Sequence, residues 1–217
     1  MTESHSSSFR RSPFLDREFI HERAAVLVSL VPSMKSAFLL ALLLAAPLPA
    51  QDSPKRPAAS YFGGIELLNQ DGQPMKLYDD LMKDKIVVIN SFFASCTASC
   101  PVMSKSFAAL QSRFADRLGR DLVFVSITVD PEHDTPAKLH AYAKKWQARR
   151  GWYFLTGSKA NVDAALKKLG QYVEEPSAHM NVIVIGNERT GLWKKAFGLA
   201  PSDELAKVVE SVLNDRG

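Results

Sequence analysis

Two stretches of this chain, residues 85–93 (Lys-Ile-Val-Val-Ile-Asn-Ser-Phe-Phe) and 121–129 (Asp-Leu-Val-Phe-Val-Ser-Ile-Thr-Val), are almost unbroken β-branched and aromatic sequence. A strand with one wet face alternates apolar and polar residues, whereas a run without alternation suits a strand covered on both faces. Both are therefore read as central strands of one sheet. Between them Met103, Phe107, Leu110, Phe114 and Leu118 recur every three or four residues behind Pro101, a residue suited to the first position of a helix. Strand, helix, strand is a βαβ unit, and it confines the fold to the α/β class.

The rest of the chain extends this unit. Thr135-Pro136 opens a second helix with Leu139, Tyr142, Ala143 and Trp146 inward, and Ser158 opens a third with Val162, Ala165, Leu166 and Leu169 inward. A short strand at residues 152–155 separates the two. Residues 180–185 and 192–197 flank the turn-rich segment 187–191 and read as a β-hairpin, and Leu205, Val208, Val209 and Val212 mark a last helix. A pair of short strands near 64–68 and 75–78, across Asp71-Gly72, precedes the core. The expected fold is α/β, a thioredoxin-like three-layer sandwich: a central mixed sheet flanked by helices, with a short N-terminal β-hairpin.

The front of the chain has a different character. From Met34, a lysine is followed by an apolar run over residues 37–46 and then by Pro47, Pro49 and small residues, the pattern of an export signal. The run is shorter than the roughly 20 residues a helix needs to span a bilayer, which favours cleavage near Ala50 over a lasting anchor. Residues 1–33 are charged and serine-rich in a way an export signal does not need, so Met34 is expected to be the true start. The organisation read from the sequence is an extension at 1–33, a signal or short anchor at 34–50, a Pro/Ala/Ser linker at 51–60 and a folded domain at 61–217. The expected location is periplasmic or otherwise extracytoplasmic, tethered to the inner membrane if the leader stays uncleaved.

Setting residues 1–50 aside removes five Lys/Arg and four Asp/Glu and leaves a net charge of +3, with no basic arm or stripe that would imply nucleic acid. The chain holds two cysteines, Cys96 and Cys100. A bridge between them would close too small a loop to staple much of the fold, so their value is chemical. Both are expected in the loop between the first central strand and its helix, where a sheet of this type places its chemistry. The positive end of the helix dipole there is expected to ease ionisation of at least one thiol. Thiolates are soft donors that select copper(I), with zinc the usual competitor. Residues 51–217 offer His133, His140 and His179 as a third ligand. His179 is the best placed, directly before a strand that starts on the cysteine edge if it runs antiparallel, although a histidine there can equally serve only a loop hydrogen bond. His133 reads as a loop residue and His140 lies off the apolar face of its helix. Met103 and Met180 read as packing residues, Trp146, Trp152 and Phe154 as core, and the Lys144-Lys145 and Arg149-Arg150 pairs as a solvated face.

Four segments in order, Ser95-Cys-Thr-Ala-Ser-Cys-Pro101, Thr128-Val-Asp-Pro-Glu-His-Asp-Thr-Pro136, Trp152-Tyr-Phe-Leu-Thr-Gly157, and His179 ahead of a strand and hairpin, resemble the Sco/SenC family over roughly residues 61–217. The resemblance implies an exported or membrane-anchored thioredoxin-like protein. It implies copper binding through Cys96, Cys100 and His179, and a part in assembling the binuclear copper centre of cytochrome c oxidase as metallochaperone, thiol reductant or both. The partners it implies are the copper-binding subunit of that oxidase, a thioredoxin-like reductant and other copper chaperones. Two positions depart from the pattern: Thr97 stands where many members have Pro, and Ala178 where many have Asp. A carboxylate beside a ligating imidazole orients it and raises its basicity, so the second departure bears on copper affinity.

Two other readings fit the cysteine pair. In one the protein is an exported thiol-disulfide oxidoreductase without a metal role, Cys96 and Cys100 forming its redox-active pair, with His179 dispensable. In the other it is a non-catalytic binding module with an inert disulfide. A peroxiredoxin is disfavoured because the segment before Cys96 lacks the Pro-x-x-x-Thr-x-x-Cys arrangement. A bridged pair offers no thiolate to copper, so a chaperone in an oxidising compartment also needs a reducing partner.

Overall fold

The structure is a computed structural model that describes residues 57–217; the expected export signal, the start at Met34 and most of the linker lie outside the described residues. A short helix α1 (Pro57–Phe62) leads into a small hairpin of β1 (Glu66–Leu68) and β2 (Pro74–Lys76). The expected second strand stops at Lys76, because Leu77, Tyr78, Leu81 and Met82 form one wide helical turn that buries all four side chains. Their helical spacing lets a single turn insert four apolar groups under the sheet, which two exposed hairpin residues could not do.

The central strands are β3 (Ile86–Phe92) and β4 (Leu122–Thr128), buried at every position and paired in parallel from Ile86↔Leu122 to Phe92↔Thr128. Between them runs α2 (Ser99–Arg113), and after them α3 (Pro136–Lys145), β5 (Trp152–Leu155) and α4 (Lys159–Leu169). β6 (Val182–Asn187), β7 (Leu192–Phe197) and α5 (Ser202–Leu213) complete the chain. The five-stranded sheet has the order β5-β4-β3-β6-β7. β5 is parallel to β4, whereas β6 runs antiparallel to β3 and β7 antiparallel to β6.

The unbroken apolar runs have the cause expected of them. Val88, Phe92 and Phe124 face a core built with Phe107 and Leu110 of α2, Leu139 and Tyr142 of α3, and Leu205 and Val209 of α5. Val87, Ile89, Val123 and Val125 face the opposite core, with Val162, Leu166 and Leu169 of α4, Phe62 of α1 and the wide turn. Alternate residues thus serve two apolar layers, and the three-layer sandwich follows. Thr135 and Ser158 cap α3 and α4 by accepting the amides of Lys138 and Asn161.

Two boundaries differ from expectation at α2. It begins at Ser99, so Pro101 is its third residue rather than its first; a proline is tolerated throughout the first turn, whose amides have no helical acceptor. It ends at Arg113, and Leu118 lies beyond it, half-buried, bridging to Leu122. The hairpin strand starts at Val182, two residues later than read from the sequence.

One close approach fixes how β5 enters the sheet. Gly151 has φ +99°, and a Cβ there would lie 2.3 Å from the Gly119 nitrogen. Gly72 also has a positive φ, +75°, but faces open space. Gly151→Ala should therefore cost about 2 kcal/mol or more through clash and strain together, and Gly72→Ala only about 1 kcal/mol through strain. Urea midpoints at constant m-value check the difference.

Candidate metal centre

β3 ends at Phe92, and the chain turns immediately: the Cys96 amide donates to the Phe93 carbonyl at 3.1 Å, closing a tight turn over residues 93–96. Four residues on, Cys100 sits in the first turn of α2, inside the helix rather than in the loop that the sequence suggested. His179 arrives from the other side. It follows a short 3₁₀ turn, Pro176–Ala178, and precedes β6. Because β6 runs against β3, with Asn90 opposite Ile183, its start lies at the edge where β3 ends.

The three side chains converge. His179 Nε2 lies 3.2 Å from Cys100 Sγ and 3.8 Å from Cys96 Sγ. The two sulfurs and the ring nitrogen are all within 4.8 Å of one another. Cys96, Cys100 and His179 are 9%, 0% and 8% exposed, and both thiols are free. The Phe93 ring meets the imidazole edge-on at 5.5 Å between centroids. Ser99, which sequence reasoning passed over, places its Oγ 3.3 Å from Nε2. Its position between the cysteines was visible, but nothing in a sequence says that the hydroxyl of a first helical residue turns toward the imidazole.

Burial dominates the electrostatics. It pushes the Cys100 thiol well above the usual cysteine range, and the adjacent Cys96 sulfur adds to the effect. At Cys100 loss of water thus outweighs any help from the helix terminus. Burial also lowers the His179 pKa, so the imidazole is neutral and keeps a lone pair for a cation. The Met180 backbone pulls the other way, but among the described residues Nδ1 has no hydrogen-bond partner of proper geometry. A cation at the centre of the trio would reverse the penalty on the thiols, since two thiolates around it no longer stand as unpaired charges.

The other candidate histidines are elsewhere. His133 is exposed and paired with Asp130 Oδ1 at 2.7 Å, and His140 is exposed and paired with Asp71 Oδ1 at 3.0 Å. Met103 is fully buried in α2, and Met180 is half-buried ahead of β6. Trp152 and Phe154 belong to the core, while Trp146 is only half-buried just past α3.

The lowered His179 pKa has a sign that stability can report. Below about pH 6.5 the unfolded chain takes up a proton at this residue that the folded chain refuses, so the unfolded state binds more protons and acid weakens the fold. Metal-free reduced protein should lose urea resistance as pH falls through this window. His179→Gln should lose less, and equal losses in the two proteins would contradict the assignment.

Comparison with known proteins agrees with the geometry. Residues 53–212 match the SCO1/SenC family. The SCO1 protein homologue of Bacillus subtilis (strain 168) is 31% identical over 119 residues, which is 53% of this chain and 60% of that protein. Among solved structures, Arabidopsis thaliana ScoI with copper bound shares 26% identity at a TM-score of 0.58, covering 71% of this chain and 99% of that one. BsSco, a member of the Sco family of cytochrome c oxidase assembly proteins in which a disulfide switch was identified, shares 27% identity at a TM-score of 0.57, covering 68% of this chain and 90% of that one. The chain spans 60% of the length of the Bacillus subtilis relative and 35% of that of a mitochondrial Arabidopsis homologue. With a match that takes in both cysteines, His179 and the whole five-stranded sheet, the chain belongs to the SCO1/SenC family.

Proposed function

We propose that this protein is an exported copper chaperone and thiol reductant that takes up copper(I) as cargo on Cys96, Cys100 and His179 and serves the binuclear copper centre of cytochrome c oxidase. The observation that carries the reading is the convergence of two thiols and one neutral imidazole, all buried, within 4.8 Å of one another. Two soft sulfurs and one nitrogen suit copper(I) better than a hard cation. The likeness to a copper-bound ScoI and to an oxidase assembly protein with a disulfide switch supports both halves of the role.

Uptake releases the two thiol protons, and the buried pocket keeps water from competing for the cargo. In the reductant role Cys96, the less buried sulfur, attacks a partner disulfide. One partner sulfur leaves as thiolate and a mixed disulfide forms. Cys100 then attacks Cys96 Sγ and releases the second partner sulfur, leaving a Cys96–Cys100 bridge and two electrons on the partner. A thioredoxin-like dithiol must restore the pair before copper can bind again. The copper-binding subunit of the oxidase and other copper chaperones complete the partner set.

The same reading assigns residues 34–50 to export or a short anchor, 51–60 to a linker and 61–217 to the working domain in the periplasm. No described helix is long and apolar enough to cross a membrane.

Copper stoichiometry of reduced protein, measured without oxygen against a competing copper(I) chelator, tests the proposal. One copper per chain is expected, with affinity at least about tenfold lower in His179→Ala, since even outer partners of metal ligands have effects of that size. A reduced protein that retains no copper would move the assignment to thiol-disulfide exchange without a metal.

A further inference from the structure

The turn that carries Cys96 lies past the end of the β3 ladder, where the parallel sheet has no further partner to offer it. The last ladder bond runs from the Val129 amide to the Phe92 carbonyl at 2.8 Å. Beyond that point a side chain takes over. Asp134, 2% exposed, accepts the Ala94 amide at 2.9 Å and the Thr128 hydroxyl at 2.6 Å, both on Oδ2. Thr128 Oγ1 in turn accepts the Asp130 amide at 2.9 Å. Thr128 is the last residue of β4 and sits in register with Phe92, the last of β3. The carboxylate therefore bridges two parallel strand ends at the point where one of them becomes the Cys96 turn.

Placing a carboxylate here is costly. Burial raises the Asp134 pKa, and its bonds to Thr128 and Ala94 oppose that rise only in part. The group stabilises a local geometry rather than the fold as a whole: Ala94 is the second residue of the 93–96 turn, whose closing bond is made by the Cys96 amide itself. Fixing the Ala94 amide fixes the plane from which Cys96 Sγ points toward Cys100 and His179.

We propose that Asp134 is a positioning residue for Cys96, its Oδ2 holding the turn so that the sulfur meets Cys100 and His179 for metal capture and Cys100 for disulfide closure. The first half rests on the copper reading above; the second does not. Because both donors land on one oxygen, an amide oxygen can replace it. Asp134→Asn keeps the acceptor, Asp134→Ala removes it, and Thr128→Val removes one donor.

Two measurements on the full chain separate the cases. One is copper(I) affinity by chelator competition. The other is the equilibrium with glutathione, in which the dithiol passes two electrons and two protons to oxidised glutathione to give the Cys96–Cys100 disulfide and two reduced glutathiones. Asp134→Ala should lower copper affinity and the disulfide equilibrium constant about tenfold each, the scale of lost outer support at metal ligands, while Asp134→Asn stays within about threefold of the parent. Thr128→Val should shift both the same way by a smaller factor, and it carries the test if Asp134→Ala does not fold. A folded Asp134→Ala protein with both constants unchanged overturns the assignment, as does Asp134→Asn losing as much as Asp134→Ala, or an unchanged Thr128→Val where Asp134→Ala does not fold. If the parent binds no copper but the disulfide constant still falls in Asp134→Ala, the copper reading fails and the positioning role stands.

Discussion

The antiparallel seating of β6 on β3 is the constraint on which the site depends. In a wholly parallel sheet the residues ahead of one strand lie at the opposite edge from those that follow its neighbour. Reversing β6 brings its entry beside the exit of β3, with Asn90 opposite Ile183 and the two thiols and His179 just beyond. The seating is braced from behind. Gly186 of β6 has no side chain, and a Cβ there would fall 2.3 Å from the Trp193 ring, so the hairpin strand β7 can lay its indole flat on β6. On the other face, Ile183 and Ile185 pack with Leu205 and Val209 of α5. The position of His179 is thus a property of sheet topology, and its neighbours need supply only the last few ångströms.

The parts of this arrangement that were legible in the sequence are those that burial writes into many residues at once. A strand covered on both faces shows it at every position, and β3 and β4 were readable within a residue at each end. Helix faces and the Thr135 and Ser158 caps repeat a local pattern and were equally plain. The thiol pair and His179 could be placed at one edge because strand direction alone decides that. Features settled by a single tertiary contact were not readable. Pro101 allows a helix to begin at it or before it, and the chain coils two residues earlier, which takes Cys100 into the helix. Leu77–Met82 carries both strand-like and helix-like spacing, and only the space beneath the sheet selects the turn.

Asp134 illustrates the same limit from the functional side. As one carboxylate in an Asp-Pro-Glu-His-Asp-Thr-Pro segment it looks like part of a solvated loop. Its burial and its two donors exist only because β3 and β4 end in register, which puts Thr128 and Ala94 on either side of one oxygen. The neighbouring His133 and Asp130 make the opposite point. They are the more eye-catching pair in the sequence, yet they bond to each other at the surface and stay apart from the thiols.

Under the proposed function, burial also explains how two reactions can share one pair of sulfurs. A dry pocket disfavours an isolated thiolate, and burial raises the Cys100 pKa for that reason, so the reduced, empty site keeps the Cys100 thiol protonated. Both ways out of that state remove the unpaired charge: a disulfide forms a neutral bond, and copper(I) places a cation between the sulfurs. The balance between them then turns on the imidazole, which assists only the metal. In this chain Ala178 is exposed and offers no carboxylate, and Nδ1 stays unpartnered among the described residues. The ring is held instead by the edge contact with Phe93 and by the Ser99 hydroxyl near Nε2. Neither partner raises the basicity of Nε2 as a carboxylate on Nδ1 would. On the proposed function, the trio of Cys96, Cys100 and His179 therefore tilts toward the disulfide more than it would with an acid beside the histidine.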